Sequence, residues 1–364
     1  MTFGNVFVII GFMMKGDNFA MTDKMTHISK VKISKLWGYS DLNFEWKLNP
    51  DVNVLAGDNG SGKSTILKLL LPVILERFRK KMMNILTLAE KVEIYFNNDI
   101  CASYFMVAGS VKEFEKKNID YKKLMKELLK RQEEKNSYLI EEIQAVVFST
   151  TKNNIKINSQ IKLPTFTIID TFDQELKEKE SIQKLSNDEV KTELDWQIDQ
   201  LQEQYKDYQI NIGKRANEVL KRAITNGAAG LAKAEQEVDK KKNMFLDMID
   251  ELFKSTQKKI DREKNEISFI QREKDIISPY QLSSGEKQIL VILLSALIQD
   301  NKHSVMIMDE PEISLHTDWQ ESLIDNIRKL NENAQIIIAT HSPSIIINGW
   351  QDKVFEMSDI QVKK

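Results

Sequence analysis

The stretch Gly57-Asp-Asn-Gly-Ser-Gly-Lys-Ser-Thr65 constrains this chain more than any other, because it fits G-x-x-x-x-G-K-[ST] and stands between two apolar segments. Before it, Asp51–Ala56 reads as a short buried strand; after it, Thr65–Leu71 reads as an apolar helix. The expected fold is therefore α/β, with a strand, a glycine loop and a helix start in succession. Glycines at 57, 60 and 62 let successive backbone N–H groups turn toward phosphate oxygens, and the helix start adds partial positive charge. Lys63 is then placed to reach β- and γ-phosphates, and Ser64 to ligate Mg²⁺.

Three more motifs follow in order. Ser304-Val-Met-Ile-Met-Asp-Glu310 is an apolar strand ending in two carboxylates. In that arrangement Asp309 holds Mg²⁺ and Glu310 faces the attacking water as general base. Upstream, Tyr280-Gln-Leu-Ser-Ser-Gly-Glu-Lys-Gln288 precedes an almost wholly apolar run, Ile289–Ile298. Ser283 and Glu286 fit a capping box, and a capped helix start serves equally as a buried helix N-terminus and as a phosphate site. Lastly, Gln335-Ile-Ile-Ile-Ala-Thr-His-Ser342 is an apolar strand ending in His341, where a γ-phosphate sensor would sit.

As an ordered set these motifs resemble the ABC-class ATPase heads of chromosome-maintenance, recombination-repair and overcoming-lysogenization-defect (OLD) proteins. Walker A is Gly57–Thr65, the signature Leu282-Ser-Ser-Gly-Glu286, Walker B Val305–Glu310, and the switch histidine His341. Asp309-Glu-Pro-Glu-Ile-Ser-Leu-His316 looks like the Walker B and D-loop of OLD-like and antiphage AAA-family ATPases more than those of transporters, which carry Ser-Gly-Gly-Gln and Ala-Leu-Asp instead. The likeness covers about residues 28–100 and 275–358.

The resemblance implies a P-loop head with a mixed sheet, ATP and Mg²⁺ as its ligands, and hydrolysis to ADP and phosphate. Nucleotide contacts would come from Gly57, Asp58, Asn59, Gly60, Ser61, Gly62, Lys63, Ser64 and Thr65 of one subunit, and from Ser283, Ser284, Gly285 and Glu286 of another. Mg²⁺ would rest on Ser64 and Asp309, and catalysis on Glu310, His341 and Lys63. The resemblance thus implies a homodimer or higher homo-oligomer formed through the heads.

Composition fits a soluble intracellular protein, expected in the cytoplasm. There are 52 Lys and Arg against 54 Asp and Glu, a formal net charge of −2, so no global charge draws the chain to nucleic acid. Any DNA or RNA contact would need local patches such as Arg79-Lys-Lys81 or Lys240-Lys-Lys242, which more often are solvated helix faces. The single Cys101 rules out an internal disulfide and a Cys-x-x-Cys zinc hook. Val6–Met14 is apolar but too short to span a bilayer and lacks a basic leader, so no membrane association is expected; Met21 or Met25 could be the translational start.

The linear reading has four parts: an N-terminal extension (1–27), a head lobe with Walker A (28–110), a mainly helical insertion (111–258), and a second head lobe (259–364). Val92–Phe96 and Ala102–Val107 look like strands, Val111–Lys135 like a charged helix, and Ile161–Ile169 like another strand. Leu194, Ile198, Leu201, Tyr205, Tyr208 and Ile212 then recur at the spacing of a coiled-coil seam. Asn226–Gly230 breaks the helix, and Ala234, Val238, Lys241, Phe245, Met248 and Leu252 resume a weaker seam. This hairpin, with helices of about 45 Å, reads either as a docking arm for a partner or as a pair packed on its own head.

For biological role, the resemblance to Septu- and PARIS-type ATPases implies an antiphage sensor that controls a separate nuclease or toxin. About twenty residues follow His341, too few for a Toprim domain, and His27, His303, His316 and His341 do not form a nuclease-like cluster in the sequence. The alternatives are a DNA-clamping repair or chromosome-maintenance factor, disfavoured by the short arm, and a transporter ATPase subunit.

Overall fold

The computed structural model describes residues 6–11, 24–74, 88–98, 100–108, 142–150, 164–169, 189–224 and 228–362. The chain divides into two compact units: Met1–Pro50 with Ala56–Pro164 and Phe355–Lys364, and Asp51–Leu55 with Thr165–Val354.

The first unit is built on a six-stranded sheet in the order β1 (Val6–Gly11), β7 (Glu142–Thr150), β6 (Ile100–Ala108), β5 (Lys91–Phe96), β2 (Ile28–Ser34), β3 (Phe44–Lys47). All its pairings are antiparallel except β1 with β7. Alternation decides the faces: Val92, Ile94 and Phe96 of β5 are buried, while Lys91, Glu93 and Tyr95 point the other way. Helix α1 (Lys63–Ile74) packs on β5 and β6 and buries Ile66, Leu69, Leu70 and Val73, a helical stripe.

A second sheet has five strands in the order β14 (Val354–Glu356), β4 (Val52–Ala56), β13 (Ala334–Ala339), β12 (Ser304–Asp309), β8 (Thr165–Ile169), of which β13, β12 and β8 lie wholly in the second unit. Strands β4, β13, β12 and β8 run parallel. Buried on both faces, β4, β12 and β13 read as mainly apolar runs; every residue of β13 is buried. Register matters for function, because Asp309 lies beside Ala339 and Ala339 beside Leu55, so β12, β13 and β4 end level at one edge of the sheet. Helix α4 (Ser284–Ile298) is buried from Gly285 to Leu297, which explains its apolar run: a helix covered on all sides has no face to leave polar.

The hairpin consists of α2 (Glu193–Ile224) and α3 (Ala228–Leu252). Its α2 seam faces inward. Leu194, Ile198, Leu201, Tyr205, Tyr208 and Ile212 are all buried in one cluster with Ile289–Leu294 of α4. The described half of the hairpin is therefore packed on its own head, and the seam is not a free docking surface. The seam of α3 also differs from the sequence reading: Phe245, Leu246, Ile249 and Phe253 are buried, whereas Met248 and Leu252 pack at the margin. Lys241, placed in that seam by spacing, donates instead to the Leu330 carbonyl at 2.9 Å and Asn301 Oδ1 at 3.0 Å. The helix break is narrower than expected, since Ala228–Gly230 already belong to α3.

Two polar links tie the root of the hairpin to α4 and to the turn before it. Thr192 Oγ1 accepts from Asp195 N–H at 3.1 Å, capping α2, and the Asp195 carboxylate pairs with Lys287 at 2.8 Å, both side chains buried. Tyr280 O–H donates to Asp199 at 3.2 Å. Beyond the hairpin lies a small antiparallel sheet of β9 (Lys258–Ile260), β10 (Phe269–Gln271) and β11 (Asp275–Ile277).

The linear partition consequently does not match the compact units. Strand β7 completes the first sheet and β8 joins the second, although both fall within 111–258. The strand expected at Ile161–Ile169 begins at Thr165; the helix expected at Val111–Lys135 and the patch Arg79–Lys81 lie outside the described residues. Among the described residues no helix is long and apolar enough to cross a membrane.

The packed seam makes a direct prediction. Ile198→Asp removes apolar burial of about 1.5–3 kcal/mol and places a carboxylate where nothing apolar can solvate it, so the loss should exceed about 3 kcal/mol. Thermal unfolding should show a lowered midpoint with ATPase activity lost alongside it. A variant as stable and active as the parent would show that the seam does not hold the head together.

Candidate nucleotide site

The phosphate loop belongs to the first unit. Strand β4 ends at Ala56, and the chain then turns through Gly57, Gly60 and Gly62, with φ of 142°, 80° and 102°, conformations that L side chains rarely adopt. Gly62 is constrained twice, because a Cβ there would also meet the Trp37 ring at 3.1 Å. Lys63 opens α1; its buried ammonium donates to the Gly57 carbonyl at 2.9 Å and the Asp58 carbonyl at 3.1 Å, lying across the loop. Ser61 Oγ is buried without a hydrogen-bond partner. A loop of glycine-enabled turns, a buried cation and an orphaned hydroxyl suits a phosphate group carrying Mg²⁺.

The remaining motifs lie in the second unit. Asp309 ends β12, and Glu310 follows in the left-handed region with φ of 49°. That turn is held by the Glu310 N–H, which donates to the Ala339 carbonyl at 2.7 Å, one bond beyond the sheet. It brings Glu310 Oε1 to 3.7 Å from His341 Nε2, both side chains about one-third exposed. The general-base candidate and the sensor candidate thus meet at the level strand ends, where open parallel sheets place their ligands.

The signature sits at the start of α4. Ser283 is the N-cap, its Oγ accepting from Glu286 N–H at 3.4 Å, while Glu286 accepts from Ser283 N–H at 2.9 Å. Ser283 and Ser284 are exposed, so the helix start is open to an anion. Glu286, grouped on sequence with the nucleotide contacts, is engaged within its own chain. Its carboxylate is buried and turned inward, bound by Lys258 Nζ at 2.8 Å and Thr256 Oγ1 at 2.8 Å. Burial by itself would raise its pKa; the Lys258 ammonium and the donors from Ser283 and Thr256 outweigh burial and hold it below the usual carboxylate range. Its carboxylate closes the helix start.

Gly285 has a tertiary reason that spacing does not reveal. A Cβ there would collide with the carbonyl of Ser314, itself left-handed at φ 68°. The D-loop backbone therefore lies directly against the signature, and Gln288 Nε2 reinforces the contact by donating to the Pro311 carbonyl at 2.7 Å. Sequence reasoning missed Thr256, Lys258 and Gln288. Nothing marks them in the chain, because they matter through partners 23 to 30 residues away.

Residues 27–346 match the sequence pattern of the AAA ATPase domain family. The chain belongs to this family. The family is one of ATPase domains, which implies nucleotide binding. Two curated relatives are similar over short segments. The Retron Vc95 probable ATPase of Vibrio cholerae serotype O1 biovar El Tor is 26% identical over 24% of this chain and 20% of its own length. The Retron Ec83 probable ATPase of Escherichia coli is 32% identical over 19% of this chain and 15% of its own length. The matches thus span at most about a fifth of those relatives. Among solved structures, the Smc head bound to the C-winged helix domain of ScpA aligns with a TM-score of 0.50 and 14% identity, covering 88% of this chain and 91% of that one. This establishes the fold as a P-loop ATPase head of mixed α/β type, as the AAA ATPase domain motifs imply.

Proposed function

We propose that this ATPase works as a homodimer or higher oligomer that binds ATP between heads and, on hydrolysing it, controls a separately encoded nuclease or toxin in antiphage defence. The observation that carries the catalytic part is Glu310 beside His341 at 3.7 Å on the level strand ends. In this reading Lys63 and the loop Gly57–Thr65 hold the phosphates, Glu310 orients water and accepts its proton, and His341 contacts the γ-phosphate. Ser64 and Asp309 would hold Mg²⁺, which would supply neutralising charge to the β- and γ-phosphates. Ser283, Ser284 and the N-terminus of α4 close on the nucleotide of the other copy. Because ATP shifts an equilibrium only through its differential affinity, it drives the pair together by binding the closed state better than the open one.

The defence assignment is supported by the similarity to two retron ATPases and by the Asp309–His316 motif. The DNA-clamp alternative gains only architecture from the likeness to an Smc head. Expression of the gene with its genomic neighbours in a phage-sensitive host tests the choice. Protection that depends on Lys63 and on an adjacent nuclease or toxin gene is expected. Unchanged plating, with deletion instead raising sensitivity to DNA breakage, would favour the clamp.

A further inference from the structure

Glu312 has no role in the chemistry assigned above, yet its carboxylate is heavily engaged at the strand ends. Its Oε1 accepts from Thr340 Oγ1 at 2.6 Å, from His341 N–H at 2.8 Å and from Ser342 N–H at 3.2 Å. One oxygen thus gathers three consecutive residues of the loop that leaves β13. Oε2 is buried with no hydrogen-bond partner. The same loop is fastened a second time: Ser342 Oγ donates to Gln320 Oε1 at 2.6 Å, and Gln320 Nε2 donates to the Leu315 carbonyl at 2.9 Å. Gln320 lies on α5 (Thr317–Leu330), directly after the D-loop.

The placement has a mechanical consequence. The ladder between β12 and β13 ends at Asp309 and Ala339, and the Glu310 N–H adds one bond beyond it. Past that point the segment carrying Glu310 and the loop carrying His341 leave the sheet, and the Glu312 carboxylate joins them directly. Charge-assisted bonds to backbone N–H groups are short and directional, so they fix a loop more firmly than neutral ones. Glu312 is also a poor substitute for Glu310 as base, since one oxygen is occupied by three donors and the other is sequestered.

We infer that Glu312 is a positioning residue for ATP hydrolysis: it pins the loop Thr340–Ser342 to the Walker B segment and so sets where the His341 ring stands relative to Glu310. The inference rests on the proposed roles of Glu310 and His341. It predicts an effect on turnover and not on nucleotide binding, because the phosphate loop is untouched.

The test is a kinetic cycle on the full chain. Glu312→Ala should lower kcat by up to about 10²-fold, the cost of misplacing a catalytic group by about an ångström, with KM for ATP nearly unchanged. Glu312→Gln keeps one acceptor oxygen and should recover most of that loss. In a His341→Ala background, Glu312→Ala should cost little more, because both changes remove the same contribution. Thr340→Val, which deletes one of the three donors, should give an intermediate loss and decides the matter if Glu312→Ala fails to fold. Additive losses would overturn the inference while leaving the site intact. Glu312→Gln as inactive as Glu312→Ala, with the pH profile of kcat altered, would make Glu312 a proton carrier and overturn it as well. If His341→Ala alone leaves kcat unchanged, the role of His341 itself fails, an outcome separable from the others.

Discussion

Glu310→Gln should retain ATP and Mg²⁺ binding while turnover falls about 10²–10⁴-fold, the usual contribution of a general base. The backbone sets this expectation. Glu310 reaches its place because β12 ends in a left-handed turn fastened to the Ala339 carbonyl, and an isosteric amide leaves that turn as it is. The amide cannot accept the proton of the attacking water, so binding and chemistry should separate. In the dimeric reading the variant accumulates as an ATP-bound pair, visible by size-exclusion chromatography with nucleotide present. Single-turnover hydrolysis gives the rate directly. Hydrolysis at the parental rate would remove Glu310 from the mechanism, and Glu312 does not stand ready to replace it, since its Oε1 already holds the His341 loop.

The second large effect concerns who completes the site. Lys63→Ala removes the cation that lies across the phosphate loop, and Ser283→Arg fills the open start of α4 with a long side chain. Each alone should be nearly inactive. Ser283 is exposed, so the substitution should cost no more than its cap, about 1 kcal/mol, and leave the head folded. Mixed together, the two proteins should regain up to about a quarter of the parental rate, because random pairing makes about half the dimers mixed and each mixed dimer has one intact site. ATPase assays over a range of mixing ratios should peak near equal amounts. Activity that stays near zero at every ratio would mean that each copy completes its own site, or that mixed pairs do not form.

Much of the site was legible beforehand because its parts are local. A glycine loop between an apolar strand and helix, two carboxylates at the end of an apolar strand, and a Ser-x-x-Glu helix start all carry their meaning within ten residues. Strands β4, β12 and β13 announced themselves for the same reason: buried on both faces, they have no polar alternation to blur them. The hairpin was legible only in part. Its seam is periodic, but periodicity states that one face is buried and not against what. Only the cluster with α4 decides that the head itself covers it.

Glu286 and Glu312 show the same division in single residues. Both are carboxylates inside motifs, and motif position groups Glu286 with the nucleotide contacts. The structure turns Glu286 toward Lys258 and Thr256, and Glu312 toward Thr340, His341 and Ser342. The sequence by itself determined the strands and helix starts around the motifs and the order of the motifs, because local backbone geometry and apolar patterning are written in consecutive residues. Tertiary structure alone decided the partner of each buried charge, the need for glycine at 285 beneath Ser314, and the surface that covers the seam. Those depend on which distant segments meet, and a buried polar group is satisfied by whatever the fold brings to it.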